Sequence, residues 1–134
     1  VVSATDVLTE VFPVEEQAPI QKIERIRHAD GEPTQYEISF IPWSIAPGIT
    51  KEQAEHSLFD TLSKVFNIQV AKTTESLEIV LADESISSHL KCPINAPCFY
   101  IETVTEDQEG RIIEYSRSYF RGDKTNFVIE RSYR

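Results

Sequence analysis

The chain repeats a hairpin signal at an offset of 79 residues, and that echo constrains its fold more than any other feature. Gly31-Glu32-Pro33-Thr34-Gln35-Tyr36-Glu37-Ile38-Ser39-Phe40 aligns with Gly110-Arg111-Ile112-Ile113-Glu114-Tyr115-Ser116-Arg117-Ser118-Tyr119. Each reads as a turn glycine followed by an alternating strand, the pattern of a β-strand leaving a tight turn. Two such segments predict two similar hairpins feeding one sheet. They also set carboxylates, hydroxyls and arginines on strands where packing residues are the norm. Function is sought at that concentration of polar groups.

The other segments fill in an α+β domain. Val1–Leu8 is rich in β-branched residues and is expected as a strand; Thr9–Pro19 reads as an irregular connection. Ile20–Ala29 runs to the turn signal Asp30-Gly31, and Thr34–Ile41 returns as the second arm. Thr50-Lys51-Glu52-Gln53 is a capping box, and the apolar spacing behind it predicts one amphipathic helix over Lys51–Phe66. Ile68–Leu81 is a long extended run, and Asp83 caps a short helix to about Leu90. Cys98–Thr105, Arg111–Arg121 and Phe127–Arg134 complete the strands. The expectation is about six strands, mostly antiparallel, with two helices.

Composition narrows the function. At 134 residues the chain suits one domain with a core of its own, and 40% hydrophobic content argues for folding. A net charge of −9 disfavours direct nucleic-acid binding, which needs a basic footprint. No apolar run reaches transmembrane length, and we expect a cytoplasmic protein. Cys92 and Cys98 lack the spacing of a zinc or redox motif and are expected as buried free thiols. His28, His56 and His89 are scattered, so neither a metal site nor a cofactor is expected. The chain starts without Met inside an expected strand, as a domain excised from a longer protein does.

Strand alternation sorts the polar residues. Gln35, Glu37 and Ser39 share one face, and Glu114, Ser116, Ser118 and Phe120 share another, opposite Tyr115, Arg117 and Tyr119. Arg25 and Arg27 share a face of the preceding strand. They meet Glu37 only in an odd hairpin register, such as a three-residue Asp30-Gly31-Glu32 loop gives; a two-residue loop sends them to the opposite face. Converged, two guanidinium forks suit a phosphate or carboxylate, and the carboxylates accept hydrogen bonds from sugar hydroxyls. The plain alternative is a solvated cross-strand ion lattice. Ser57, within Ser57-Leu58-Phe59-Asp60, sits inside the expected helix, where a serine ordinarily faces solvent. Asp30 and Asp123 read as turn formers. No P-loop, GxGxxG or Ser/His/Asp order appears.

Glu24-Arg25-Ile26-Arg27-His28-Ala29-Asp30-Gly31-Glu32-Pro33, Tyr36-Glu37, Ser57-Leu58-Phe59-Asp60, Ala82-Asp83-Glu84 and Glu114 through Asp123 together resemble the UTRA domain. That is the effector-binding domain of GntR-type, HutC-subfamily bacterial transcription regulators. The resemblance covers nearly the whole chain, residues 1–134, in order and spacing. It implies a chorismate-lyase-like α+β fold, with a mostly antiparallel six-stranded sheet and covering helices. It also implies dimerisation through this domain, and an N-terminal winged-helix DNA-binding domain not contained here. In relatives that bind amino-sugar phosphates, the matching arginines hold the phosphate, here Arg25 and Arg27, assisted by Ser57. The matching glutamates, Glu37 and Glu114, contact the sugar. Ser116 shares the Glu114 face. Phe59 and Phe120 stand where such relatives often carry Tyr, so two hydroxyls are missing. Thr9–Pro19 is shorter than the family's usual segment, which tends to contain a helix.

The resemblance therefore implies the sensor domain of a repressor, binding a sugar phosphate or similar anion as a homodimer. The alternative is a lyase of the same fold acting on a carboxylated ring such as chorismate.

Overall fold

In the computed structural model of the chain, which describes residues 2–3, 6–12, 14–15 and 17–133, the two hairpins meet at the centre of one antiparallel sheet. The strands are β1 (Val2–Ser3), β2 (Pro19–Ala29), β3 (Glu32–Pro42), β4 (Val70–Leu81), β5 (Pro97–Asp107) and β6 (Ile112–Arg121). Their order is β1-β2-β3-β6-β5-β4, so β3 and β6, the two echoing strands, lie side by side. Ile38 faces Arg117 across that seam, and these two residues are themselves 79 apart. A pseudo-two-fold axis therefore passes between them, and the repeat seen in the sequence is a symmetry of the sheet.

The first hairpin decides the register that the sequence left open. Asp30 and Gly31 have φ of 52° and 79°, the left-handed pair of a two-residue turn, with Ala29 opposite Glu32. The register then shifts between Arg27 and His28: His28 pairs with Pro33, but Arg27 pairs with Gln35. Thr34 is the extra residue of a β-bulge, and its hydroxyl donates to the Arg27 carbonyl at 3.3 Å. The bulge restores the odd register that the turn alone denies, so Arg25 still stands opposite Glu37.

Among the described residues, four short helices cover the sheet. α1 (Asp6–Val11) and α4 (Glu84–Leu90) lie on the face that carries Tyr36, Ile38 and Phe40. Leu8 and Phe12 pack with Phe40 and Tyr115, while Ile86 and Leu90 pack with Tyr36. α2 (Lys51–His56) and α3 (Leu58–Lys64) lie over the opposite face, where Leu58 and Leu62 bury against Ile41 and Ile113.

Three further expectations change. The strand expected over Val1–Leu8 stops at Ser3, and the following helix takes Asp6–Val11, because Leu8 and Phe12 stand at helical spacing and both bury; Val1, Ala4 and Thr5 lie outside the described residues. That helix also occupies the start of the expected irregular connection over Thr9–Pro19. The single helix over Lys51–Phe66 is two, broken at Ser57 (φ −168°, ψ 117°). The strand expected over Phe127–Arg134 is absent from 127–133, with Arg134 outside the described residues. β6 is flanked by β3 and β5, so the chain leaving it has no free strand edge beside it. Phe127 instead packs edge-on against Phe99 and Phe120. Both cysteines are free and buried, and burial, with Cys92 adjacent, pushes the Cys98 thiol up to about 11.

Candidate functional site

A cavity of about 450 Å³ lies between the sheet and the α2–α3 pair. Arg25, Arg27, Glu37, Ser57, Phe59, Glu114, Ser116 and Phe120 all line it, so the eight residues singled out in the sequence are brought to one place. Alternation explains the strand members. β2 contributes Arg25 and Arg27, β3 Gln35 and Glu37, and β6 Glu114, Ser116, Ser118 and Phe120, all from one face.

Ser57 reaches the cavity because it is a helix cap. The Thr50 capping box starts α2, with Thr50 and Gln53 exchanging bonds of 3.1 and 2.9 Å. Ser57 ends that helix through its own N–H to the Gln53 carbonyl (3.2 Å). Its Oγ then accepts from the Asp60 N–H at 3.2 Å, starting α3. One of its two acceptor lone pairs is in use, while the hydroxyl hydrogen stays available to donate. The Ser-x-x-Asp pattern was the sequence signal for this break.

Glu37 is the hub of the buried polar network. Its Oε1 pairs with Arg25 Nη2 and accepts from Ser39 Oγ at 3.1 Å. Its Oε2 accepts from Gln35 Nε2 at 3.0 Å and Ser118 Oγ at 3.3 Å. The Arg25 and Glu37 side chains are only 11% and 14% exposed, so this pair is largely removed from water. Arg25 Nη1 also donates to the Ala54 carbonyl at 3.0 Å, tying β2 to α2. Arg25 thus serves the fold as well as the cavity. Its Nε has no partner among the described residues, although it is buried.

The two remaining charged side chains at this end differ from that pair. Arg27 is exposed, and among the described residues it makes no ion pair. Glu114 is buried, 4% exposed, and its Oε2 lacks a partner among the described residues. Burial first, then the neighbouring Glu37 carboxylate, pushes its carboxyl up to about 7, against Arg25 and a hydrogen bond with Ser116 that lower it. Near neutrality Glu114 is therefore part acid and part carboxylate, able to donate or to accept.

Sequence reasoning did not select Gln35 and Ser118, nor His56, Leu58, Thr73, Glu75, Ile101 and Thr103, which complete the lining. Gln35 and Ser118 were readable from alternation. Thr73 and Glu75 join only through the β4·β5 register, in which Glu75 faces Thr103. A second hollow of about 420 Å³, lined by Glu24, Ile26, Tyr36, Lys51, Glu55 and His89, shares the arginine wall. There Tyr36 stacks on His89 (4.0 Å) and donates to Glu24 at 2.9 Å. Among the described residues no group of His, Cys, Asp or Glu is placed to hold a metal ion.

The architecture is that of the ligand-binding part of GntR-type regulators. A GntR-family regulator from Enterococcus faecalis superposes with a TM-score of 0.89 at 23% identity, covering 96% of this chain and 93% of that one, a likeness of fold. The effector domain of PhnF from Mycobacterium smegmatis superposes at 0.88 with 27% identity, over 98% of this chain and 82% of that one. The UTRA domain matches residues 1–126, and the chain belongs to that family. Among sequence relatives, the transcriptional repressor NagR of Bacillus subtilis is 27% identical over 127 residues, 95% of this chain and 52% of NagR. The repressor PhnF of Mycolicibacterium smegmatis is 29% identical over 94% of this chain and 52% of its own length. The chain spans about half the length of these curated relatives, which are HutC-like regulators.

Proposed function

We propose that this chain is the sensor of a bacterial transcriptional repressor, and that its effector is a small phosphorylated metabolite, a sugar phosphate or close analogue. The observation that carries the reading is one cavity holding an unpaired Arg27, an unpartnered Arg25 Nε and an unpartnered, buried Glu114 oxygen, each judged among the described residues. The phosphate meets the Arg27 fork, with the Ser57 hydroxyl and Arg25 Nε as further donors. The hydroxyls of the ligand then face Glu114, Ser116 and Ser118. Phe59 and Phe120 give the ring two apolar walls in place of two further hydroxyls.

The chain carries −9, so DNA contact belongs to a winged-helix domain elsewhere in the full-length regulator, which works in the cytoplasm. Two copies joined through this domain set the spacing of two such heads. Effector binding acts by preferring one arrangement of the dimer, and a shift from mostly bound to mostly released DNA takes about 5 kcal/mol of differential affinity.

Thermal-shift measurements against sugar phosphates, phosphonates and carboxylates test the reading. A phosphorylated sugar is expected to raise the melting temperature with concentration, by mass action. No shift with any phosphorylated compound, at concentrations where a carboxylate does shift it, overturns the assignment. The lyase reading is tested by incubating the chain with chorismate and assaying for pyruvate; none is expected.

A further inference from the structure

Three ionisable groups lie on the inner wall of the cavity, largely removed from water: Arg25, Glu37 and Glu114. One cation stands there for two carboxyls. Arg25 is taken by Glu37 through Nη2 and by the Ala54 carbonyl through Nη1, and Glu37 collects Ser39, Gln35 and Ser118 besides. Glu114 has Ser116 beside it on β6, and its Oε2 has no partner among the described residues. Across on β5 stands Thr105, fully buried, with a hydroxyl that is likewise unpartnered and brings no charge. The other titratable or charged side chains of the wall are Arg27 on β2, His56 on α2 and Glu75 on β4, and all three are exposed. The buried cation is therefore committed elsewhere, and Glu114 has none of its own.

We propose that Glu114 meets the effector as a neutral carboxylic acid, donating its proton to an acceptor oxygen of the ligand away from the phosphate, so that binding takes up a proton wherever the free site has lost it. This rests on the sensor reading above and gives Glu114 the donor's part in it, while Glu37 keeps that of an acceptor. A phosphate adds negative charge to a cavity whose buried cation is already paired. An ionised Glu114 would then be a second buried anion with no counter-charge, which burial and like-charge repulsion both oppose. Burial, with Glu37 at hand, already lifts the carboxyl of the free site to about 7. The charge of the ligand and the water it displaces act in the same direction. A carboxyl kept neutral by its surroundings carries one O–H donor, and such acids serve as donors in other buried sites. The sign of the pH dependence separates the two roles. A donor Glu114 gives full affinity below about pH 7 and a loss as pH rises, whereas a carboxylate acceptor would give a gain over the same interval. The second ionisation of a phosphate monoester, at about 6, is nearly complete above pH 7 and does not mask the trend.

Calorimetric titration of the 134-residue chain with a hexose 6-phosphate, from pH 7 to pH 8.5 in two buffers of different ionisation enthalpy, reads both affinity and protons exchanged. The affinity is expected to weaken about tenfold across that interval, with close to one proton taken up per ligand at its upper end. In Glu114→Gln the affinity is expected to vary by less than about twofold, and the uptake to vanish. His56→Asn removes the histidine of the wall and is expected to keep the uptake, so the assignment is tested even where Glu114→Gln fails to fold. Affinity that strengthens with pH, uptake that Glu114→Gln retains, or uptake lost in His56→Asn overturns the proposal. A measurement without ligand separates it from the sensor reading. The infrared C=O stretch of a protonated acid is expected in the unmodified chain at pH 6, fading by pH 8.5, and is expected to be missing from Glu114→Gln. Its absence from the unmodified chain at pH 6 overturns the placement of the proton. Its presence in a chain that binds no phosphorylated sugar counts against the sensor reading and not against the proton on Glu114.

Discussion

The two halves of the sheet are related by a pseudo-two-fold axis, yet they treat charge in opposite ways. In the β2–β3 half, Glu37 sits in a buried ion pair with four hydrogen-bonding neighbours around it. Its counterpart 79 residues on is Ser116, and the residue opposite Ser116, as Arg25 is opposite Glu37, is Thr103. Among the described residues the β5–β4 half has no such pair on this face, and its outer strand is exposed from Ala71 to Ile79. One backbone plan therefore serves as a charged, lidded wall on one side and as an open, apolar one on the other. Symmetry of fold does not carry symmetry of chemistry, because register fixes only which positions face each other.

The comparison breaks most visibly at Glu37. Glu37→Ala leaves Arg25 buried without its counter-charge, and the expected loss is about 3–5 kcal/mol in urea unfolding. Ser116→Ala, at the mirrored position, should cost about 1 kcal/mol or less. Similar losses at the two sites would show that the pair is not what distinguishes the halves.

Glu114 gives a pH dependence of opposite sign to that of an ion-paired carboxylate. Its folded value, about 7, lies above the ordinary 4.5, so between these values the folded state holds more protons than the unfolded one. Stability from this group is therefore present below pH 4.5 and is lost as pH rises through about 7, with a total on the order of 3 kcal/mol. Glu114→Gln should remove that slope and be the more stable protein at pH 8. Parallel stability curves for the two proteins between pH 5 and pH 8 would contradict the burial argument.

Arg27→Ala sharpens the contrast between a cation used by the fold and one held free. We expect affinity for a hexose phosphate to fall by about 2 kcal/mol, roughly thirtyfold. Unfolding free energy should stay within about 0.5 kcal/mol of the parent, as at other exposed positions. The smallest effect is at the lid: Ser57→Ala removes the α3 cap and should cost about 1 kcal/mol. A rise in stability there would mean the α2–α3 break is strained rather than capped.

Much of this was legible before any coordinates. The glycine-led echo disclosed the two hairpins, the Thr50 box the start of α2, and Asp83 the cap of α4, because each is local chemistry. The Thr34 bulge was not legible, since it trades one extra residue in β3 against the turn, and only the paired strand reveals it. The end of the chain misled for a related reason. Phe127, Val128 and Ile129 have strand-like composition, but a strand needs a free edge, and β6 offers none. The candidate site followed the same division. Its β2, β3 and β6 residues could be grouped by alternation, whereas Thr73 and Glu75 depend on a pairing between strands separated by α4.

Calorimetric titration of the 134-residue chain with a hexose 6-phosphate, beside the same hexose without phosphate, tests the central assignment most directly. Saturable one-site binding of the phosphorylated sugar, at least a hundredfold tighter than the bare sugar and weakened roughly thirtyfold in Arg27→Ala, is the predicted result. Equal affinity for the two sugars, or binding of the phosphate that survives Arg27→Ala unchanged, would contradict it.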